Sequence, residues 1–258
     1  MSDPSSQPAP ALGPIECFDR IDSTNEAAFR ALEAGTAGHG AVFVALAQDA
    51  GRGRRGARWI SPAGEGLYLS AIWRPRSWVA APLLTMATGW AALEALRGLG
   101  VQGLRLKWPN DVVHASGKLA GMLVESRGLD PANPTFVVGM GINVAQTEFP
   151  SELLAQQAVT SLQLLGYPRP REVVQAAVIE VLPRAWAMAE SDPEALCKHF
   201  LDATGLDGQR VRIEAGDQAL VGTIQGLDPE LGLALLPDLG PLQTLRLEQI
   251  RSLKPFAG

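Results

Sequence analysis

Cysteine and histidine are scarce in this sequence of 258 residues, which holds two cysteines and three histidines. Cys17 and Cys197 are far apart and form no CxxC pattern, which argues against a disulfide scaffold and against a cysteine-rich metal site. His39, His114 and His199 show no spacing typical of metal ligands. The sequence is therefore unlike those of small disulfide-rich secreted domains and of zinc proteins.

A long uninterrupted hydrophobic run is also missing. The most apolar stretch, residues 79–93, contains Pro82, Thr85 and Thr88, and it is too short and too interrupted to span a bilayer. The first 14 residues, MSDPSSQPAPALGP, lack the basic start and the apolar core of a signal peptide. We therefore expect a cytoplasmic protein that neither crosses nor binds a membrane.

Positive charge is in short supply as well. The formal net charge is -5, whereas proteins that bind nucleic acids or anionic membranes usually carry a basic excess. We expect no nucleic-acid partner. The chain has only four lysines, so each can be considered by itself: Lys107, Lys118, Lys198 and Lys254.

What is present is an ordinary globular composition, with 47% hydrophobic and 19% charged residues. Residues 1–14 predict a flexible tail that is too short for a DNA-reading domain. Residues 15–205 alternate strand and helix patterns, and the short gaps between strands indicate hairpins in a mixed or mainly antiparallel sheet. Residues 206–258 predict short strands with frequent turns, which is typical of a small β-barrel. The predicted fold class is α+β.

Near the start of this region, the segment from Ser23 to Glu26 has the spacing of a capping box. It predicts a short helix whose first turn is held by these two side chains. The helix is expected to end at Gly35.

The segment from Gln48 to Trp59 is rich in glycine and arginine. It carries four arginines against one aspartate, together with three glycines. Glycines let a backbone approach a ligand closely, and guanidinium groups match carboxylates and phosphates. The pattern is neither a Walker A loop nor a dinucleotide fingerprint. It predicts an anion-binding loop, although a solvated surface loop and an RNA-binding tract remain alternatives.

Two lysines stand in short motifs around a predicted turn. The motif Lys107-Trp-Pro-Asn-Asp111 follows one strand, and Lys118 begins the next. A hairpin would bring both lysines close to Asn110 and Asp111 at one sheet edge. A lysine can also simply reach along apolar surface to water, and Asp111 can simply serve a turn. Together with the loop, however, they predict an anion site in which Asp111 holds Mg²⁺ beside phosphates.

The segment Gly139-Met-Gly141-Ile-Asn143 ends a further predicted strand. Small residues in a strand commonly allow tight packing. The functional alternative is a backbone left bare for a ligand, with Asn143 directed at a phosphate or a metal ion.

Five motifs in this order resemble the bacterial biotin protein ligases, the biotin–[acetyl-CoA-carboxylase] ligases. The resemblance extends from about residue 15 to residue 258. It implies a catalytic domain like that of class II aminoacyl-tRNA synthetases at 15–205, and an SH3-like β-barrel at 206–258. The motifs are Ser23-Thr-Asn25, GRGRRG at 51–56, KWPND at 107–111, KLAGMLVE at 118–125 and GMGINV at 139–144.

The resemblance implies an ATP-dependent ligase that converts biotin to biotinyl-5′-AMP and transfers it to a lysine of the biotin carboxyl carrier protein. Mg²⁺ is the implied cofactor, with Asp111 as its ligand. The implied catalytic residues are Arg54, Lys118 and Lys107. The implied biotin-binding residues are Ser23, Thr24, Asn25, Gln48, Gly51, Arg52, Gly53, Arg54, Lys118 and Gly121. The implied ATP-binding residues are Arg54, Arg55, Trp59, Lys107, Asn110, Asp111 and Asn143.

Two departures from the family pattern stand out. Several relatives continue GRGRRG with another arginine, whereas this chain has Ala57, so the contact of that arginine is in doubt here. Some relatives also carry an N-terminal DNA-binding domain and repress transcription. Since this sequence starts at the catalytic region, the resemblance implies a monofunctional ligase, and it leaves a homodimer open.

Three other functions remain as alternatives. A lipoate or octanoyl ligase has a related fold and similar chemistry, but the GRGRRG and KWPND motifs favour biotin. An inactive sensor of biotin or nucleotide is disfavoured because both Lys107 and Lys118 are present. A nucleic-acid binder conflicts with the negative net charge.

Overall fold

A computed structural model describes residues 11–128, 130 and 132–256 of the chain. Most of the predicted flexible tail, residues 1–10, lies outside the described residues. The described part contains twelve strands and five α-helices, with short 3₁₀ turns at Arg54–Gly56 and Leu247–Gln249. In chain order they are β1 (Ile15–Ile21), α1 (Thr24–Glu33), β2 (Val42–Gln48), β3 (Gly66–Trp73), α2 (Ala81–Gly98), β4 (Arg105–Lys107), β5 (Asp111–His114), β6 (Gly117–Glu125), β7 (Phe136–Asn143), α3 (Ser151–Leu154), α4 (Arg171–Ser191), α5 (Pro193–Thr204), β8 (Arg210–Ala215), β9 (Gln218–Asp228), β10 (Gly232–Pro237), β11 (Gln243–Leu245) and β12 (Ile250–Pro255).

The strands form two sheets. Seven strands form the larger sheet in the order β1-β2-β3-β7-β6-β5-β4, in which β1 and β2 are parallel and every other pair is antiparallel. Five strands form a second, antiparallel sheet in the order β11-β10-β9-β8-β12. The predicted α+β class, with a mixed main sheet and a small all-β unit at the C-terminal end, is confirmed.

The two faces of the larger sheet are covered to different extents. Helices α2, α4 and α5 cover one face and bury the main hydrophobic core against it, whereas α1 covers only part of the other face. Side chains alternate between faces along a strand. On β7, Val138 and Met140 enter the main core, while Gly139 and Gly141 lie on the face of α1. The part of that face beyond α1 is not covered by these helices and can hold a ligand-binding cavity.

The predicted capping box at the start of α1 is wrong. The helix begins at Thr24 and Ser23 is its N-cap, but no side-chain capping bond forms. The Glu26 carboxylate instead contacts Arg52 and Arg127, at 2.8 and 2.6 Å. Ion pairs with residues far along the chain have outcompeted the local capping arrangement.

Trp108, between β4 and β5 of the larger sheet, contacts both the second sheet and α5. Its indole N–H donates to the carbonyl oxygen of Ile250 at 3.2 Å, and its ring meets Phe200 edge-on at 5.9 Å. The short β4–β5 hairpin is therefore fixed against both α5 and the second sheet. Within the described part of the chain, no helix has the length and apolarity needed to cross a membrane.

Candidate active site

A cavity of about 380 Å³ opens on the free face of the larger sheet. It begins at the first turn of α1, runs over β7 and β6, and is covered by the Gly/Arg loop, residues 51–58. Residues 149–159, which include α3, supply another wall through Phe149, Leu153, Gln156 and Val159. No sequence pattern predicted this wall.

Three glycines form the floor of the cavity. Gly121 of β6 pairs directly with Gly141 of β7, and Gly139 lies two residues earlier on the same face. A Cβ atom on Gly139 would collide with the amide of Asn25, and one on Gly141 would collide with the indole of Trp59. At Gly139 and Gly141 the structure thus fits the tight-packing interpretation of GMGIN, since the side chains of Asn25 and Trp59 rest on the glycine backbone.

One end of the cavity is a small polar pocket. The Thr24 backbone N–H donates to Gln48 Oε1 at 2.9 Å, and Gln48 Nε2 donates to Ser61 at 2.9 Å. Ser23, Thr24 and Asn25 are almost fully buried, with at most 4% exposure. The turn from β1 into α1 and the end of β2 therefore bring together four of the predicted side chains, which we call the head pocket: Ser23, Thr24, Asn25 and Gln48.

Two polar residues behind this pocket were not predicted from the sequence. Ser70 of β3 is fully buried, and its hydroxyl lies 2.7 Å from Thr24 Oγ1 and 2.5 Å from Asn25 Oδ1. Glu125, the last residue of β6, accepts a hydrogen bond from Asn25 Nδ2 at 2.7 Å. A single serine within the apolar run GLYLSAIW was the available signal for the first of them.

The Gly/Arg loop folds back on itself. Arg52 and Arg58 form an isolated antiparallel bridge, and the Gly53 N–H donates to the carbonyl of Ala57 at 2.7 Å. Arg55 has a φ of 55° in this tight turn, a conformation that is unfavourable for a residue with a side chain. It is exposed, and neither it nor Gly51 lines the cavity.

Other parts of the loop face the cavity, including Arg52, Gly53 and Arg54. Burial, followed by the neighbouring charge of Arg55, lowers the pKa of Arg54 below its ordinary value. A cation that has lost hydration in this way is ready to gain from an anionic ligand. Trp59, which follows the loop, lies over Gly141 and Gly121.

Lys118 and Asp111 mark the other end of the cavity. Lys118 Nζ lies 2.7 Å from Asp111 Oδ1 and 5.3 Å from the centre of the Trp59 ring. Both side chains are mostly buried, at 17% and 12% exposure. The lysine is held by backbone bonds between β6 and the wall, since its N–H donates to Ala158 and its carbonyl accepts from Thr160, each at 2.9 Å.

The two predicted asparagines have structural partners. Asn110 Nδ2 donates to the carbonyl of Met122 at 2.7 Å, and Asn143 Nδ2 donates to that of Thr160 at 2.9 Å. Both residues line the cavity. Their amides are therefore fixed in place beside Lys118.

The structure does not place Lys107 in the cavity with Lys118. Lys107 lies at the edge strand β4, is exposed, and lines a second cavity between the β4–β5 hairpin and the C-terminal sheet. The predicted approach of both lysines to one sheet edge is met in part, since Lys107 pairs with Asp111 and Asp111 contacts Lys118, but Lys107 does not line the first cavity. The register does place Lys107 opposite Asp111, which in turn pairs with Gly121. Directly paired residues share a face, so Lys107 continues the row of the glycine floor beyond Asp111.

Among the described residues, no group of three or more His, Cys, Asp or Glu side chains is placed to hold a metal ion. Asp111 is the carboxylate at this end of the cavity, and Lys118 is already its partner. One carboxylate is sufficient only for an ion that is also held by substrate phosphates, as Mg²⁺ commonly is.

Comparisons with known proteins agree with this arrangement. The profile of the Biotin/lipoate A/B protein ligase family matches residues 17–143. The bifunctional ligase/repressor BirA of Salmonella typhimurium is 35% identical over 230 residues, which cover 88% of this chain and 70% of the relative. The biotin–[acetyl-CoA-carboxylase] ligase of Mycobacterium tuberculosis is 32% identical over 232 residues, which cover 86% of this chain and 82% of that protein.

A solved structure also resembles this chain over almost its whole length. The biotin protein ligase of Aquifex aeolicus, in complex with biotin and ATP, superposes with a TM-score of 0.78 at 27% identity, covering 94% of this chain and 99% of that one. The chain therefore belongs to the biotin/lipoate A/B protein ligase family.

Proposed function

We propose that this ligase activates biotin with ATP in the cavity described above and then transfers it to a lysine of a biotin carboxyl carrier protein. The observation that carries the proposal is that one cavity has a neutral, hydrogen-bonding pocket at one end and partly buried cations at the other. An elongated ligand with a polar head and a terminal carboxylate fits between these two ends.

The head pocket suits the ureido ring of biotin. That ring offers two N–H donors and a carbonyl acceptor, and the pocket offers hydroxyl and amide groups from Ser23, Thr24 and Asn25. Ser23 makes no capping bond, so its hydroxyl can serve the ligand. The dithiolane ring of lipoate has no N–H group and no carbonyl, so it would not make the hydrogen bonds that the pocket offers to a ureido ring, and it should bind more weakly. Isothermal titration with biotin and with lipoate separates the two substrates.

In the first step, a biotin carboxylate oxygen attacks the α-phosphorus of ATP, and pyrophosphate leaves with the electron pair of the broken P–O bond. Two anions must approach each other, so fixed positive charge is the main requirement. We infer that Lys118 contacts both the carboxylate and the α-phosphate and that Arg54 holds the adenylate, since both line the cavity. We assign the distal phosphates to Lys107, which pairs with Asp111 in the register.

In the second step, the neutral ε-amine of the carrier lysine attacks the acyl carbon of biotinyl-5′-AMP. The C–O bond to AMP breaks, AMP leaves with the electron pair, and the new amide nitrogen loses a proton. Water would hydrolyse the anhydride, so the intermediate must be covered. The Gly/Arg loop, which already covers the cavity, performs this function.

Mg²⁺ bound at the Lys118 end of the cavity would supply neutralisation of the phosphate charge. The side chain that fits it is Asp111, a single buried carboxylate that would exchange its contact with Lys118 for the ion. The nearby amides of Asn110 and Asn143 are already committed to backbone carbonyls, so the ion would depend on the phosphates for its other ligands.

Incubation with ATP, Mg²⁺, biotin and a carrier-protein domain, followed by mass spectrometry, tests the proposed reaction. We expect the carrier to gain the mass of one biotinyl group at a single lysine. A carrier that stays unmodified while ATP and biotin are supplied would contradict the proposal. Omission of Mg²⁺ is expected to abolish the mass gain.

The glycine floor provides a second prediction. In Gly141→Ala, the new methyl group collides with the Trp59 indole, and overpacking of this kind costs about 1–3 kcal/mol. We expect biotin to bind at least about tenfold more weakly, measured by isothermal titration. The control is Gly98→Ala, at the end of α2, where the added methyl group meets nothing within 4 Å and binding should stay unchanged. Equal affinities of both variants would contradict this role of the floor.

A further inference from the structure

We propose that Glu125 is a positioning residue of the biotin pocket, one that fixes the orientation of the Asn25 amide and links it to the Gly/Arg loop. This inference rests on the proposed function, because it concerns how the same pocket recognises its substrate. Glu125 belongs to none of the groups that would touch the reacting atoms.

Asn25 is buried at the head of the cavity. The residue is 4% exposed and rests on Gly139, where any side chain would displace its amide. An asparagine amide has two chemically different ends, and rotation by half a turn exchanges donor for acceptor. A pocket that recognises both the N–H groups and the carbonyl of a ureido ring needs only one of these two orientations.

Glu125 selects that orientation. Its ionised carboxylate can only accept hydrogen bonds, and Asn25 Nδ2 lies 2.7 Å from Oε2. The reversed amide would place Asn25 Oδ1 against this carboxylate, and two acceptors would face each other. In the observed orientation Oδ1 lies 2.5 Å from the Ser70 hydroxyl, which can donate to it.

Arg52 fixes Glu125 in turn. The same oxygen, Oε2, lies 2.8 Å from Arg52 Nη2, and that nitrogen also lies 2.8 Å from Glu26 Oε1. The side chains of Arg52 and Glu125 are 35% and 28% exposed, so the contact is partly shielded from water. The loop over the cavity and the amide in the head pocket therefore share one carboxylate oxygen.

Three substitutions separate the effect of the position of the Glu125 oxygen from the effect of its negative charge. Glu125→Gln keeps an acceptor oxygen at the full distance, and Arg52 favours the rotamer that presents it. Glu125→Asp keeps the charge but withdraws the oxygen by one methylene, and Glu125→Ala removes the group. Biotin affinity is measured by isothermal titration. We expect the affinity of Glu125→Gln to stay within about threefold of the parent, and those of Glu125→Asp and Glu125→Ala to fall about tenfold.

A purely electrostatic contribution would reverse this order, with Asp near the parent and Gln weak, and that result would overturn the proposal. Affinity for ATP alone should be equal in all three variants, which also reports on correct folding. Glu33→Gln, which removes an exposed carboxylate that pairs with Arg127, is the control for net charge and should bind biotin like the parent.

A double-mutant cycle identifies the route of the effect. If Glu125 acts through Asn25, then Glu125→Ala should weaken biotin binding no further in an Asn25→Ala background. Additive losses would contradict a positioning role. The parent protein is titrated first: absence of biotin binding there would refute the proposed function itself, whereas parent-like binding by Glu125→Ala would refute only the inference about Glu125.

Discussion

Replacement of Lys118 by alanine is expected to lower the rate of biotinyl-5′-AMP formation by at least about 100-fold, the typical effect of losing a preorganised donor at a centre of developing charge. Lys118 is the partly buried ammonium group at the end of the cavity where we propose that the two anions meet. The rate is measured as pyrophosphate release in single-turnover conditions. Lys198→Ala is the matched control, because Lys198 is exposed on α5 and pairs with Asp202.

The Asp111 contact complicates this substitution, and a second variant resolves it. Loss of Lys118 leaves the Asp111 carboxylate unpaired and able to repel phosphate. Because Asp111 is also the proposed Mg²⁺ ligand, the double variant Lys118→Ala/Asp111→Asn is compared with Asp111→Asn alone. If the lysine acts on the reactants directly, the double variant should release pyrophosphate about 100-fold more slowly than Asp111→Asn. Equal rates in these two variants would show that unmasking Asp111 caused the loss in Lys118→Ala, and the assigned role of Lys118 would be wrong.

Arg54→Gly should cause the enzyme to release biotinyl-5′-AMP before the transfer step. Arg54 faces the cavity from the loop and has already lost much of its hydration, so it holds the anionic intermediate at little further desolvation cost. Without it, biotinyl-5′-AMP should escape and react with exposed lysines. We expect at least about tenfold more biotin on a bystander protein, given that a charge-assisted hydrogen bond contributes about 1.5–3 kcal/mol.

The measurement pairs a blot of the bystander protein with the dissociation rate of the intermediate. Arg76→Gly serves as the control, because Arg76 is an exposed loop arginine that does not line the cavity. A variant at position 54 that retains biotinyl-5′-AMP as tightly as the parent would remove Arg54 from its assigned role.

The parts of the fold that depend on local pattern could be predicted from the sequence. The run GLYLSAIW at 66–73 is buried along its whole length, and it combines β-branched and aromatic residues with adjacent turn signals, which is a pattern that predicts a strand. Helix α5 begins with Pro193 and is followed by Gly205 in the left-handed conformation, which are ordinary start and stop signals.

Features that depend on distant pairing could not be predicted in this way. The acidic side chain of Glu26 fits a local cap, yet two arginines at positions 52 and 127 bind it instead. Glu125 looked like the end of a strand, and only the register of β6 and β7 beneath α1 brings it to Asn25. Lys107 belongs to the same motif as Asp111, but the antiparallel pairing places it beyond the cavity.

The central claim is that biotin lies along the cavity with its ring in the head pocket and its carboxylate at Lys118. A crystal structure with biotin and a non-hydrolysable ATP analogue tests this claim directly. The account predicts the ureido ring in contact with Ser23, Thr24 and Asn25, and the carboxylate within hydrogen-bond distance, about 3 Å, of Lys118 Nζ. A ligand bound in the reverse direction, or outside this cavity, would contradict it.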